Sequence, residues 1–249
     1  MLSLSKGVNK ILVPSEIQTG NAIIVGQPLG SFWGFKTNGL YKDGEEIPAT
    51  PLLANTKVGD VNYLDLNSDG KITQADDQTV IGNAQPKFIF GLTNNFSYAN
   101  FDLSVFFQGS YGNKVYSYIL QQLQVPTGYQ NVIGGYADHY TSNTTGAKYQ
   151  KPNELITANP VSDLYVYDAS YVRLKSVTLG YNIATKIISK LKINRLRLYI
   201  TGQNLLTFTR YPGYDPEVNS YDSNSSRQGV DIGAYPSART FTGGISITF

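Results

Sequence analysis

The last nine residues, Phe241-Thr-Gly-Gly-Ile-Ser-Ile-Thr-Phe249, constrain this chain most strongly. Phe241, Gly243, Ile245, Ile247 and Phe249 fall on one side of an extended strand and Thr242, Gly244, Ser246 and Thr248 on the other, because side chains alternate with a period of two. Such a strand needs an apolar medium on one side and a polar one on the other. Two architectures supply both: an edge strand of a β-sandwich, or a strand that crosses a membrane and ends on an interfacial aromatic.

The alternation returns upstream. In Phe88–Tyr98 the residues Phe88, Phe90, Leu92, Phe96 and Tyr98 share a side broken only by Asn94, and in Phe101–Gly112 the residues Phe101, Leu103, Val105, Phe107 and Tyr111 do the same. Ala99-Asn100 between them predicts a tight hairpin. Tyr171–Tyr181 alternates with a phase slip near Ser176, which predicts a bulge. In Arg195–Phe208, Leu196, Leu198, Ile200 and Gly202 oppose Arg195, Arg197, Tyr199, Thr201 and Gln203. A weak strand at Asn9–Val13, a bent stretch over 21–38 with Trp33 as a packing anchor, a short helix within Ser117–Val125 and an amphipathic connector at Ile183–Ile193 complete the expected elements.

Connection lengths favour the membrane. Turns at 99–100 and 183–194 are short, whereas the connections at 39–86, 113–170 and 209–239 are long. If Phe249 ends on the periplasmic side, every short turn lies there and every long loop outside, as in outer-membrane barrels. The expected fold is all-β: about six antiparallel strands of a larger transmembrane β-barrel, with extracellular loops at 39–86, 113–169 and 209–239. The expected lipid-facing residues are Phe88, Phe90, Leu92, Phe101, Leu103, Val105, Phe107, Leu196, Leu198, Ile200, Ile245, Ile247 and Phe249.

Composition fits that picture and removes others. With 19 Tyr, 11 Phe and 24 Gly, the chain suits strands, turns and aromatic girdles better than helices. A net charge of +2 without a Lys/Arg cluster argues against nucleic acid. No cysteine is present, which removes disulfides, thiolate metal sites and Cys nucleophiles. No run of about 18 apolar residues predicts a membrane helix, a test that barrel strands of about 9–11 residues escape. The first ten residues lack the apolar core of a secretion signal, which an outer-membrane protein needs, so either the chain is part of a longer one or the barrel expectation fails.

One motif carries metal chemistry. Asp65, Asn67 and Asp69 occupy positions 1, 3 and 5 of a calcium loop, Gly70 allows the turn at position 6, and Ile72 at position 8 is expected to tuck into the fold. Lys71 would offer its backbone carbonyl, Thr73 its hydroxyl, and Asp76 closes the loop at position 12, where the EF-hand has Glu. A structural Ca2+ is expected rather than a sensor; the alternative is a surface turn that binds nothing. His139, the one histidine, has no catalytic partner at a recognisable spacing, and no nucleophile elbow, phosphate loop or His-Glu-x-x-His occurs. No enzyme is expected. Tyr211-Pro-Gly-Tyr-Asp-Pro-Glu217 reads equally as a sugar or peptide contact and as a loop staple.

An ordered series of motifs resembles one family. Gly26-Gln-Pro-Leu-Gly-Ser-Phe-Trp-Gly-Phe-Lys-Thr-Asn-Gly39 is followed by Gly59-Asp-Val-Asn-Tyr-Leu-Asp-Leu-Asn-Ser-Asp-Gly-Lys-Ile72, Val80-Ile-Gly-Asn83 and Pro86-Lys-Phe88. Then come Asn100-Phe-Asp-Leu-Ser-Val-Phe-Phe-Gln-Gly-Ser-Tyr-Gly-Asn113, Asp168-Ala-Ser-Tyr-Val-Arg-Leu-Lys-Ser-Val-Thr-Leu-Gly-Tyr181, Gln203-Asn-Leu-Leu206 and Gly213-Tyr-Asp-Pro-Glu217. Over about residues 20–249 this resembles the C-terminal part of a SusC/RagA-type TonB-linked (TonB-dependent) outer-membrane transporter. The resemblance implies a barrel of about 22 strands with an N-terminal plug. It implies import of oligosaccharides or peptides, a SusD-like lipoprotein lid, and energy from the TonB complex through a part of the receptor not present here. The chain alone is then expected not to transport. The competing reading is a soluble, calcium-stabilised β-sandwich that binds glycans. It would bury Phe101, Leu103, Val105, Phe107, Ile245 and Ile247, which a barrel would leave exposed on one continuous surface.

Overall fold

A computed structural model describes residues 10–11, 20–124, 131–142, 146–152, 160–188, 193–221 and 224–249. Its strands are β1 (Lys10–Ile11), β2 (Asn21–Ile24), β3 (Ser31–Phe35), β4 (Thr37–Leu40), β5 (Val61–Tyr63), β6 (Gln78–Asn83), β7 (Phe88–Tyr98), β8 (Phe101–Tyr111), β9 (Lys114–Ser117), β10 (Val166–Asp168), β11 (Tyr171–Asn182), β12 (Arg195–Thr209), β13 (Val230–Asp231) and β14 (Thr240–Thr248). Two short helices, α1 (Tyr118–Leu123) and α2 (Thr185–Ile188), sit in the connections. Of the expected strand Asn9–Val13, only Lys10 and Ile11 are among the described residues; Val125 of the expected helix and residues 189–192 of the connector lie outside them. The Ser117 hydroxyl caps α1 by accepting the Leu120 N–H at 3.4 Å.

The chain divides into two compact units. The first gathers 1–85, 114–168 and 212–234; the second gathers 86–113, 169–211 and 235–249. The first is a set of small sheets, β1-β2-β3-β6, β10-β9-β13 and β4-β5. Its side chains close over two apolar clusters. Phe32, Tyr116, Tyr165 and Val230 make one; Phe35, Val61, Tyr63 and Ile72 make the other. Ile72 is thus buried, as its place in the acidic motif predicts. Gly34 lets the segment at Val161 lie against β3: a Cβ there would stand 2.5 Å from the Val161 carbonyl, which accepts the Phe35 N–H at 2.9 Å. Trp33 is partly buried in β3 and donates its indole N–H to Gln78 Oε1 at 2.9 Å.

The second unit is one antiparallel sheet in the order β14-β12-β11-β8-β7. Neighbours in this sheet follow one another along the chain, so it is an up-and-down meander. It has five strands, where the sequence suggested about six; the stretch over 21–38 supplies strands to the first unit instead. The hairpin turn is Ala99-Asn100, with Ala99 at a positive φ of 52°. The phase slip is a register shift between Leu174 and Ser176 against both β8 and β12. It keeps the apolar residues on one side, because skipping one residue in a period-two element otherwise turns every later side chain over.

Candidate functional site

Register decides which side chains share a face, since directly paired residues point the same way. Tyr98 pairs with Phe101, Phe101 with Tyr181, Tyr181 with Leu198 and Leu198 with Ile245. One step up, Phe96, Leu103, Leu179, Ile200 and Gly243 align in the same manner. Leu92, Phe107, Leu174 and Leu206 continue the face, and Phe88 beside Tyr111 ends it. Asn94, paired with Val105, is the one amide in this field. None of Phe88, Phe90, Leu92, Phe101, Leu103, Val105, Phe107, Leu196, Leu198, Ile200, Ile245, Ile247 and Phe249 is buried. Ile245 is 65% exposed and Phe249 80%. A soluble sandwich would have covered this surface.

The opposite face is polar. Asp102, Ser104 and Gln108 of β8 line it with Arg173, Thr178 and Asn182 of β11, and with Arg195, Arg197 and Thr201 of β12. Thr178 and Thr201 share a hydrogen bond of 2.9 Å. At the short-turn end, Arg197 forms a two-pronged ion pair with Asp102, its Nε reaching Oδ1 at 3.0 Å and Nη2 reaching Oδ2. The pair passes over Gly180 of β11, where a Cβ would stand 2.5 Å from both partners. Only glycine leaves room for β8 and β12 to be tied across the strand between them. The alternation in β12 puts the arginines on a polar face but does not show this tie; Gly180, between Leu179 and Tyr181, is the trace it leaves in the sequence. Phe106 is an apolar exception on this face, its ring 3.2 Å from where a Gly91 Cβ would stand.

The acidic motif lies in the first unit. The Asp65 carboxylate accepts the Ser68 N–H at 2.6 Å and the Gly70 N–H at 2.7 Å; Asn67 Oδ1 accepts Asp69 N–H at 3.0 Å, and Asp69 Oδ1 accepts Lys71 N–H at 2.8 Å. Ser68 and Gly70 take positive φ values of 61° and 78° to allow it. Thr73 Oγ1 donates to Asp76 Oδ2 at 3.2 Å, away from that group of bonds. No three acidic, histidine or cysteine side chains among the described residues stand close enough to hold an ion. The donor chemistry nevertheless suits a hard cation: each carboxylate oxygen keeps a lone pair, and the Lys71 carbonyl adds an oxygen. The residue that fixes the loop is Asp77. It is fully buried, and its two oxygens accept Leu66 N–H and Thr73 N–H, each at 2.7 Å, joining the loop's two ends. As sequence, Asp76-Asp77 is a pair of adjacent acids in a loop; burial separates them, Asp76 being exposed and Asp77 enclosed.

His139 stacks on Tyr136, ring centroids 5.2 Å apart and 11° from parallel, and its Nδ1 lies 3.0 Å from the Tyr136 carbonyl oxygen. This is a loop packing contact. In the 211–217 cluster Tyr211 is buried, Tyr214 exposed, and Asp215 Oδ1 accepts the Glu217 N–H at 3.0 Å.

An up-and-down antiparallel sheet with one apolar exposed face, one polar face, and short turns alternating with long connections has the pattern of an outer-membrane β-barrel wall. No family model matches the chain. Relatives do: it is 37% identical over 229 residues, 90% of its length, to TonB-dependent receptor P3 of Formosa agariphila. It is 35% identical to TonB-dependent receptor P26 of the same organism over an alignment that spans the whole chain. TonB-dependent receptor SusC of Bacteroides thetaiotaomicron is 30% identical over 75% of the chain. Among solved structures, the RagAB peptide transporter matches 98% of this chain and 25% of its own with a TM-score of 0.76, at 21% identity, a likeness of fold. The chain belongs, as a segment, to the SusC-type TonB-dependent receptors. It spans 22%, 27% and 17% of the three named relatives. These relatives are receptors and not enzymes by name.

Proposed function

We propose that this chain forms part of the wall of an outer-membrane importer. The observation that carries the proposal is the continuous exposed apolar face of the five-stranded sheet, backed by a polar face. The dimensions agree. Phe88 and Tyr98 stand ten residues apart on β7. At ~3.3 Å per residue and a tilt of ~40° they span about 25 Å, the height of an outer-membrane apolar band. The tyrosines of this face stand at its two ends, Tyr98 and Tyr181 at one and Tyr111 at the other, while Leu103, Val105, Val177 and Ile200 fill the middle together with Phe96, Phe107 and Phe241. Tyrosines at the interfaces and wholly apolar side chains between them are what a bilayer selects.

In this reading the residues from Phe88 to Phe249 named above as exposed face lipid, short turns face the periplasm, and the 39–86, 113–169 and 209–239 segments face outward. The cargo class is an oligosaccharide or a peptide. A SusD-like lipoprotein and the TonB complex serve the whole receptor, of which this chain is about a quarter. Single tryptophans placed at Leu103 or Ser104, in a Trp33→Phe background, test the orientation in vesicles of brominated phospholipid. Strong quenching at 103 and little at 104 is expected. Equal or absent quenching at both sites would favour the soluble sandwich. Uptake of labelled oligosaccharide and peptide by cells carrying the whole receptor, with and without this segment, tests the import role.

The acidic loop takes a structural Ca2+ in the same reading, held by Asp65, Asn67, Asp69, the Lys71 carbonyl, Thr73 and Asp76. The ion would stiffen a connection already pinned by Asp77. Calorimetry of the chain with Ca2+ and with chelator checks this: no heat of binding and an unchanged melting profile would remove the ion from the account.

A further inference from the structure

One cleft on the polar face serves neither the lipid-facing surface nor the acidic loop. It measures about 540 Å³ and lies at the short-turn end of the long sheet, walled by Asp102, Asn182, Arg195 and Arg197, with Ser97 and Ser246 at its sides. We propose that this cleft binds a carboxylate, with Arg195 as the principal contact.

The two guanidinium groups of the cleft are used differently. Arg197 is matched: its fork meets both oxygens of Asp102. Arg195 is not. Its Nε and Nη2 both donate to one uncharged oxygen, Asn182 Oδ1, at 3.2 and 3.1 Å. A guanidinium fork fits the two oxygens of a carboxylate, and charge-assisted bonds of that kind are roughly twice as strong as neutral ones. An arriving carboxylate therefore gains by replacing Asn182 on Arg195. Asn182 keeps the bond from its Nδ2 to Asp102 Oδ1 at 3.2 Å, and its released Oδ1, half-buried in the cleft wall, is open to water.

Charge counting sets the class of ligand. Two arginines stand against one aspartate in the cleft wall, an excess of one positive charge. A monoanion neutralises it, whereas a dianion such as phosphate would meet the fixed Asp102 carboxylate with charge left over. The hydroxyls of Ser97 and Ser246 add donors that an anion can use. Such a carboxylate belongs either to a small free acid or to an acidic side chain of a protein segment. The site does not depend on what covers the apolar face.

The test follows arginine side-chain Nε–H signals of the full 249-residue chain in zwitterionic micelles during titration with acetate. A saturable shift of the Arg195 signal in the millimolar range is expected, with the Arg197 signal unmoved and acetamide without effect. Arg195→Gln should abolish the response and Arg195→Lys should weaken it. If the Gln variant fails to fold, the Lys variant and the acetate-against-acetamide contrast in the parent chain decide. A response reproduced by acetamide or chloride, or one in which Arg197 moves with Arg195, would overturn the site. A capped glutamate-containing peptide that binds several-fold more tightly than acetate assigns the carboxylate to a protein segment; the reverse order assigns it to a small acid.

Discussion

The two units spend the same apolar side chains in opposite ways. In the first, Phe32, Phe35, Val61, Tyr63 and Tyr116 are closed in by protein on every side. In the second, Phe101, Ile200, Phe241 and Ile245 look outward. Among the described residues, twenty of the twenty-six exposed large hydrophobics belong to the second unit, seventeen of them to the strands of its sheet, which is far more than an isolated soluble sheet tolerates. The first unit is held by burial of its own core. The second is held by its hydrogen-bonded ladder, by the Asp102–Arg197 tie and, in the proposed setting, by the medium around it. Connections that read as loops can thus fold as a compact body, while the strands that read most clearly have no core of their own.

Substitutions in each unit test that contrast. The largest effect is expected at Phe32: Phe32→Ala should cost about 3–5 kcal/mol, because the surrounding protein cannot collapse into the space. Phe101→Ala should cost about half as much, since detergent or lipid fills the gap. Denaturant unfolding of the two variants in micelles measures the ratio, and equal costs would erase the distinction. Next in size, Val105→Arg at mid-height on the exposed face should cost about 2–4 kcal/mol in a bilayer, against less than about 1 kcal/mol for Ser104→Arg beside it. Unfolding in vesicles reads this directly; a larger cost at 104 would turn the sheet over.

Within the first unit, Asp77→Asn should destabilise by about 1–3 kcal/mol, because a buried acceptor of two backbone N–H groups becomes partly a donor. Asp76→Asn, at an exposed site, should change stability little without Ca2+. The smallest expected effect is on pH dependence. Burial, with Tyr165 and Tyr116 close by, pushes the Tyr63 hydroxyl well above the ordinary tyrosine value of 10.0, and burial does the same to Tyr116. Both hold their protons more tightly when folded than unfolded. Their contribution is therefore complete below about pH 10 and is lost as pH rises from there through the folded-state values. Alkaline unfolding of the first unit should start near pH 10, and Tyr63→Phe should delay it. Circular dichroism through that range, with no difference between parent and variant, would count against this role.

All five long strands were legible almost to the residue: the observed β7 and β8 bounds match the expected hairpin to within one position, and β11, β12 and β14 match to within one at their ends. The bulge near Ser176 was legible too, because a lapse in a period-two pattern can be repaired only by an extra residue. Local chemistry suffices there: each alternating residue reports its own side of the strand, and Gly70 and Ile72 report theirs in the acidic loop. What the sequence could not separate was Asp76 from Asp77, or a loop from a folded unit. Those depend on which distant segments close over them. Tertiary structure alone decided that Phe32 meets Tyr116 and Val230, that Gly180 is the gap through which Asp102 reaches Arg197, and that Arg195 donates to the uncharged Asn182. Each is a contact between residues far apart in the chain, set by strand order and register, and none leaves a periodic trace in the residues themselves.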